Sequence, residues 1–241
     1  MALREDDSLS SGPFSGLIDL PFDPSKKRAK CDRCQRPASV CLCNCLPRTP
    51  VLIATEVHIL QHPNEERRSL TTVPILTAAL ARDKIHIYRS KVFSRGRFPT
   101  LDDALDAHET VLLYPGREAV DVSDVSPSGR LPRVKNLLLL DGTWRQAREI
   151  YKKNPRLHVL KQVELRMSVI SAYVIRTQPT DQCLSTAESA ALALSVIEGR
   201  ADLYDVIIRP LTALCHIQIG HGAGAHESRE RKRQKPHNVV S

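Results

Sequence analysis

The run Asn136–Leu140 (NLLLL) ends on Asp141 and passes straight into Gly142-Thr143-Trp144. An unbroken apolar stretch of strand length, with no polar alternation, fits a strand covered on both faces, as in a parallel sheet. A helix pattern follows over Thr143–Lys153. Val51–Leu60, Lys84–Tyr88, Thr110–Tyr114 and His158–Leu165 also read as strands, the third broken by Pro115-Gly116. Helices are expected over Pro74–Arg82, with Thr72 as its cap and a Pro just inside its start, and over Ser185–Glu198. The latter carries Ala187, Ala191, Leu194 and Ile197 on one face and stops at Gly199; a last helix covers Leu203–Ile219, interrupted by Pro210. Strands alternating with helices predict an α/β domain with a mostly parallel sheet. Residues 121–133 hold three Ser, two Pro and a Gly and read as a surface loop.

A chain of 241 residues suits one such domain with appendages. We expect a disordered leader over 1–25, a cysteine-rich segment over 26–50, a catalytic domain over 51–222 and a basic disordered tail over 223–241. The 41% apolar and 26% charged residues exclude wholesale disorder, and no apolar run approaches the roughly 20 residues of a membrane span. The first residues lack the basic and apolar regions of a secretory signal, and Glu5, Asp6 and Asp7 argue against a transit peptide. The net charge of +8 favours a polyanion partner, nucleic acid first. Arg229, Arg231, Lys232, Arg233 and Lys235 in the tail can attract phosphates or serve as a nuclear import signal, so the expected location is nucleus, cytoplasm or both.

Five of the seven cysteines, Cys31, Cys34, Cys41, Cys43 and Cys45, fall within fifteen positions. Without a secretory signal, this reads as metal ligation before disulfides. Cys31-x-x-Cys34 and Cys41-x-Cys43 are two close pairs that can supply the tetrahedral corners of a structural Zn²⁺, with Cys45 a rival for Cys43. A site closed by four thiolates has no open position, so its task is to fold a short segment.

Ligands of open α/β sheets gather at the carboxyl ends of strands, where Asp141 stands. Several residues here also have purely structural readings. Thr143 and Gln146 have capping-box spacing, as do Ser185 and Glu188, and Trp144 can be core. Arg145, Arg148, Lys152 and Arg156 recur at helical spacing, which more often makes a solvated face than a binding one. His62 and Glu65 in HPNE follow the first strand as loop or site residues.

CDRCQRPASVCLC (31–43), ILQHPNEERRSLTTVPIL (59–76), LLYPG (112–116), LLLLDGTWRQA (137–147) and YVIRTQPTDQCLSTAES (173–189) occur in an order that resembles the DTW-domain family, the tRNA-uridine aminocarboxypropyltransferases. The spacing and Ile208–Cys215 (IRPLTALC) look closest to eukaryotic members acting on the tRNA D-loop. The resemblance implies a SPOUT-like α/β fold with a knotted C-terminal cofactor region and a small N-terminal zinc-binding segment. It implies transfer of the 3-amino-3-carboxypropyl group from S-adenosylmethionine (SAM) to N3 of a uridine in tRNA, giving acp3U and 5′-methylthioadenosine. It places zinc on Cys31, Cys34, Cys41 and Cys43. It places the cofactor pocket on Leu113, Tyr114, Pro115 and Gly116, on Asp141, Gly142, Thr143 and Trp144, and on Arg176, Leu184, Ser185, Thr186 and Glu188.

Uridine N3–H must lose its proton before it attacks, so Asp141 is read as the general base, with anchoring of the cofactor as its rival role. Arg176 suits the cofactor carboxylate or a substrate phosphate, and Trp144 or Tyr114 can wall an unstacked base. A SPOUT methyltransferase and a non-catalytic zinc-containing RNA-binding module are the competing readings. The oligomeric state is left open.

Overall fold

Side chains alternate between two faces along the long strands, and this alternation sets the architecture. In a computed structural model of the chain, which describes residues 29–68, 70–127, 133–166, 169–178, 180 and 183–234, six parallel strands form one sheet. They are β1 (Glu56–Gln61), β2 (Ile85–Arg89), β3 (Thr110–Leu113), β4 (Val120–Asp121), β5 (Asn136–Asp141) and β6 (Lys161–Glu164), in the order β2-β1-β5-β3-β6-β4. Val57 and Ile59 of β1, Leu137 and Leu139 of β5 and Val111 of β3 point into one core. Helices α1 (Val73–Ala79), α4 (Thr186–Ile197) and α5 (Asp202–Gly220) close that core. Leu60, Leu138 and Leu112 point to the other face, under α2 (Pro99–Asp106) and α3 (Trp144–Lys153). The apolar run of β5 is therefore covered on both sides, as its composition requires.

The strand order also fixes where a ligand can enter. The connection from β1 leads outward to β2 through α1 on one face, whereas that from β5 leads the opposite way to β6 through α3 on the other. Adjacent strands whose connections diverge leave a crevice at their carboxyl ends, the switch point of open α/β sheets. Gln61 and Asp141, partners in register, stand side by side at its floor.

Several boundaries differ from the sequence reading, each for a local reason. Strand β1 starts at Glu56, because Ala54 and Thr55 give their N–H groups to the Glu198 carboxylate at 3.1 and 2.7 Å. Thr72 makes no side-chain cap on α1; its hydroxyl instead accepts from the Ala187 N–H at 3.3 Å. Helix α5 runs through Pro210 without a break. A proline inside a helix costs about 3 kcal/mol, which burial of Leu203, Ile207, Leu211 and Leu214 along one stripe offsets. Helix α2 was not anticipated, and the surface loop expected over 121–133 is corrected at its start: Asp121 ends β4, and Val122 and Val125 just after it are buried in the core.

The leader and residues 26–28 lie outside the described residues, as does 235–241. The tail is corrected in part. Expected as disordered, it holds a short helix, α6 (Arg229–Gln234), and its approach is pinned: His226 and Arg229 donate backbone N–H bonds to Val174 and Gln178 at 2.7 and 2.9 Å. The cysteine-rich segment contributes Cys34, Leu42 and Leu46 to the same core as the sheet. No described helix is long and apolar enough to cross a membrane.

One polar network crosses the face under α2. His58, 1% exposed, contacts the Tyr88 hydroxyl through Nδ1 at 3.1 Å and Asn136 Oδ1 through Nε2 at 3.2 Å. Asn136 in turn donates to Thr110, whose hydroxyl donates to the Ala104 carbonyl. The direction of these donors assigns the neutral Nε2–H tautomer to His58. Burial holds its pKa down at about 4. The unfolded chain therefore binds the extra proton first, and this contribution is complete above about pH 6.5 and declines as pH falls toward 4. Denaturant unfolding should show the wild type losing about 2 kcal/mol more than His58→Gln between pH 7 and pH 4.5, by the linkage of pKa to stability. Equal losses would mean that His58 does not titrate this way.

Candidate active site

Asp141 closes β5 at the crevice and is 6% exposed. A carboxylate at that depth needs donors on its oxygens. Gln61 Nε2 donates to Oδ2 at 2.8 Å and the Thr186 hydroxyl donates to Oδ1 at 2.5 Å. Gln61 is itself held by Arg89 Nε, which donates to Oε1 at 2.9 Å. The Asp141 carbonyl accepts the His62 N–H at 2.9 Å. One residue thus joins β5 to β1 and to the first turn of α4. Gln61 and Arg89 were not anticipated; only the β1–β5 register reveals them, and nothing in their local sequence does.

The turn after Asp141 is tight for steric reasons. A Cβ on Gly142 would lie 3.0 Å from Gln146 Cβ and 3.5 Å from His62 Cβ. Gln146 approaches because Thr143 caps α3: Thr143 Oγ1 accepts from the Gln146 N–H at 3.3 Å, and Gln146 Oε1 accepts from the Thr143 N–H at 2.7 Å. The capping role of Thr143 is therefore real, and such a cap contributes about 1 kcal/mol. Trp144 is not core: at the first position of α3 it is 49% exposed beside the crevice.

Glu188 has the second capping box and a larger task. Its Oε2 accepts from the Ser185 N–H at 2.7 Å, and the Ser185 hydroxyl accepts from the Glu188 N–H. Its Oε1 accepts from the Ala172 N–H at 2.6 Å, and the Ser171 hydroxyl donates to the same carboxylate. The Ser171 hydroxyl also accepts from Tyr173 N–H and Gln178 Nε2. A fully buried carboxylate thereby holds the loop over residues 171–178 in place. Arg176 projects from that loop, exposed, and Leu184 is half-buried just before α4.

Leu113 pairs in register with Leu139 of β5 and Val163 of β6, so Leu113–Gly116 leaves the same carboxyl edge. The Tyr114 ring stacks on Tyr151 at 4.4 Å, so one of its faces is already covered. A Cβ on Gly116 would meet the Gln162 amide oxygen, which lies on it at 1.6 Å. Pro115 is exposed. The three segments singled out in the sequence therefore converge at one sheet edge.

Glu65 lies on the turn Pro63–Glu65 that follows β1 and is 5% exposed. Burial pushes its carboxyl above the usual range; Arg68 opposes, nearby Asp141 adds to the rise, and Arg176 opposes. His62 opens this turn, accepting from the Asn64 N–H through Nδ1 at 3.2 Å, and burial lowers its pKa.

The basic row on α3 is narrower than its spacing suggests. Arg156 is not part of it: beyond the end of α3, it is engaged by Asp102 and Asp106 of α2. Lys153 and Lys91 close on Glu149 at 2.8 and 3.1 Å. Arg145, Arg148 and Lys152 are exposed, and among the described residues no carboxylate pairs with them. With Glu149 and Lys153 they line a surface hollow of about 450 Å³.

Away from this edge, the sulfurs of Cys31, Cys34, Cys41 and Cys43 lie within 4.8 Å of one another. Cys31–Cys43 and Cys34–Cys41 approach to 3.4 and 3.6 Å. Tetrahedral Zn²⁺ with bonds of about 2.3 Å needs sulfurs about 3.8 Å apart, so the four fit that ion. Backbone N–H groups of Cys34 and Arg33 draw the Cys31 thiol down to about 6. Cys45 lies outside the cluster.

A family profile, the DTW domain, matches residues 28–219. A protein of Macaca fascicularis named tRNA-uridine aminocarboxypropyltransferase 2 is 44% identical over 215 residues, covering 89% of this chain and 72% of that one. The protein of the same name in Drosophila melanogaster is also 44% identical, covering 89% of this chain and 84% of its own. In Arabidopsis thaliana, tRNA-uridine aminocarboxypropyltransferase A is 31% identical over 73% of this chain and 75% of its own. No solved structure matches. The match takes in the cysteine cluster and all three segments at the sheet edge, and the chain belongs to the DTW-domain family.

Proposed function

We propose that this chain transfers the 3-amino-3-carboxypropyl group of SAM to N3 of a uridine in tRNA, releasing 5′-methylthioadenosine. The observation that carries this reading is the 44% identity, over 89% of the chain, to proteins named tRNA-uridine aminocarboxypropyltransferase 2. When bound, SAM supplies a sulfonium whose attached carbons are open to attack, and the protein must select one by orientation. Leu113–Gly116, Asp141–Trp144 and the stretch from Arg176 through Leu184, Ser185, Thr186 and Glu188 are the segments we assign to that task.

Within them, Asp141 is oriented from two sides by Gln61 and Thr186, which suits a carboxylate that anchors a cationic group. Arg176, exposed on its loop, suits a carboxylate or phosphate. Exposed Trp144 can stack on the unstacked uridine, a role that Tyr114, already stacked on Tyr151, offers on one face only.

Nucleoside mass spectrometry after incubating the purified protein with tRNA and SAM should detect acp3U and methylthioadenosine. Methyluridine with S-adenosylhomocysteine would mean a methyltransferase instead. RNA binding without either product would mean a binding module.

Zn²⁺ on Cys31, Cys34, Cys41 and Cys43 would hold a segment whose own apolar side chains are few. Cys34→Ser should release the metal and lower hydrogen-exchange protection around Leu42 and Leu46, whereas Cys45→Ser should keep both. Metal analysis showing the reverse pattern would reassign the fourth ligand.

Arg145, Arg148 and Lys152 are the cations we assign to tRNA phosphates. Replacing all three with Gln should weaken tRNA binding and flatten its log–log salt slope by about 2 to 3, one phosphate contact per side chain. SAM affinity should stay unchanged. An unaltered salt slope would return this face to solvent.

A further inference from the structure

We propose that Glu65, rather than Asp141, accepts the N3 proton of uridine during transfer, an inference that rests on the reaction proposed above. The two carboxylates lie near enough for Asp141 to act on Glu65 but are built differently. Asp141 has a donor on each oxygen, from Gln61 and from Thr186. Glu65 is as deeply buried, yet its Oε1 has no hydrogen-bond partner. Arg68 NH1 lies 3.2 Å from that oxygen as an ion pair, without hydrogen-bond alignment. A buried carboxylate oxygen left without a donor costs free energy unless something else uses it.

The turn that carries Glu65 is fixed. His62 Nδ1 accepts from the Asn64 N–H, and the Glu65 N–H donates to the His62 carbonyl at 2.9 Å. Glu65 lies four residues past Gln61, the last residue of β1, whose register partner is Asp141. The charged groups that act on Glu65 come from three elements: Arg68 on its own turn, Asp141 on β5 and Arg176 on the 171–178 loop. Their contributions oppose one another, and burial decides the direction upward. A base suited to a weak acid such as uridine N3–H is one whose affinity for protons is raised toward working pH. A buried carboxylate whose oxygens both have donors, beside one with an oxygen left open, marks such a division of labour.

The step balances as written. The N3–H bond breaks toward the Glu65 carboxylate, and the electron pair left on N3 forms the new N–C bond. The C–S bond breaks with its electrons on sulfur, which turns the sulfonium into a neutral thioether. Glu65 then returns the proton to solvent.

The test uses the full chain with its zinc retained, comparing wild type, Glu65→Gln and Asp141→Asn on the same tRNA. Glu65→Gln should bind SAM in calorimetry within about threefold of wild type while kcat at saturating SAM falls about 100-fold or more, the usual scale for loss of a general base. The acid limb of the wild-type pH profile, where Glu65 is protonated, should vanish in Glu65→Gln, and rate should recover at high pH as N3 ionises unaided. Asp141→Asn should lose SAM affinity and keep that limb. Infrared difference spectra across a pH titration give a readout independent of turnover. A protonated-carboxyl band titrating above the ordinary carboxylate range should be present in wild type and Asp141→Asn and absent in Glu65→Gln. Three results would overturn the proposal: Glu65→Gln with kcat within about threefold of wild type, an acid limb lost only in Asp141→Asn, or no such band. Should Glu65→Gln fail to fold, Glu65→Asp replaces it and should turn over slowly with the acid limb retained; an acid limb lost there is equally fatal. A wild-type protein that forms no acp3U overturns the reaction itself, and the infrared band still reports whether Glu65 titrates.

Discussion

The site rests on one buried carboxylate with two neutral donors. Asp141 sits at the end of the most apolar strand of the sheet, where an ionised group is costly to leave unpartnered. Gln61 from β1 and Thr186 from α4 satisfy its oxygens, and its own carbonyl accepts the N–H that starts the turn carrying Glu65. Three elements far apart in sequence are therefore held at fixed separations by the solvation needs of a single side chain. Neutral donors leave its negative charge uncancelled in the crevice, which a salt bridge from Arg or Lys would have neutralised. A field of that sign favours a cationic ligand at this end of the sheet.

Glu188 solves the matching problem on the other side. The loop over 171–178 has no sheet or helix of its own to satisfy its backbone, so its N–H groups must find partners elsewhere. A carboxylate at the N-terminus of α4 accepts from Ala172 and Ser185 and receives the Ser171 hydroxyl, with the helix dipole favouring its charge. The capping box and the loop anchor are thus one device. A residue whose spacing reads as purely structural fixes the segment from which Arg176 projects. Structural and functional readings of such a residue are not alternatives.

The sheet was legible because its signal is local. NLLLL reads as a doubly covered strand, and the strands at Lys84–Tyr88 and Thr110–Tyr114 were displaced by at most a residue. Both capping boxes followed from Ser or Thr three residues before Glu or Gln. What could not be read depends on register or on distant partners. Gln61 becomes a site residue only because β1 pairs with β5 rather than with β3. Strand β1 starts late only because Glu198, nearly 150 positions away, takes the preceding N–H groups. Arg156 continues the helical spacing of Arg145 and Arg148, but α3 ends at Lys153 and Asp102 and Asp106 of α2 claim its guanidinium. Helix α2 lacks a side-chain cap, so Pro99 at its first position is the one local mark of its start.

Ion pairing also sorts the positive charge, which the total of +8 cannot do. Arg95, Arg156, Lys135, Arg166 and Arg200 each face a carboxylate on the surface, so their fields close locally. Lys91 and Lys153 share Glu149, holding it down at about 2, which keeps it ionised throughout the working range. Arg145, Arg148 and Lys152 are left with open fields on the helix that begins at the crevice, and Arg176 stands on the loop across from it. A polyanion drawn to these three cations of α3 is thereby brought beside the turn where Trp144 is exposed and Asp141 is buried. Long-range attraction and the buried carboxylate of Asp141 share an origin in the β5–α3 junction: the strand sets the carboxylate, the capped turn sets Trp144, and the helix sets the cations.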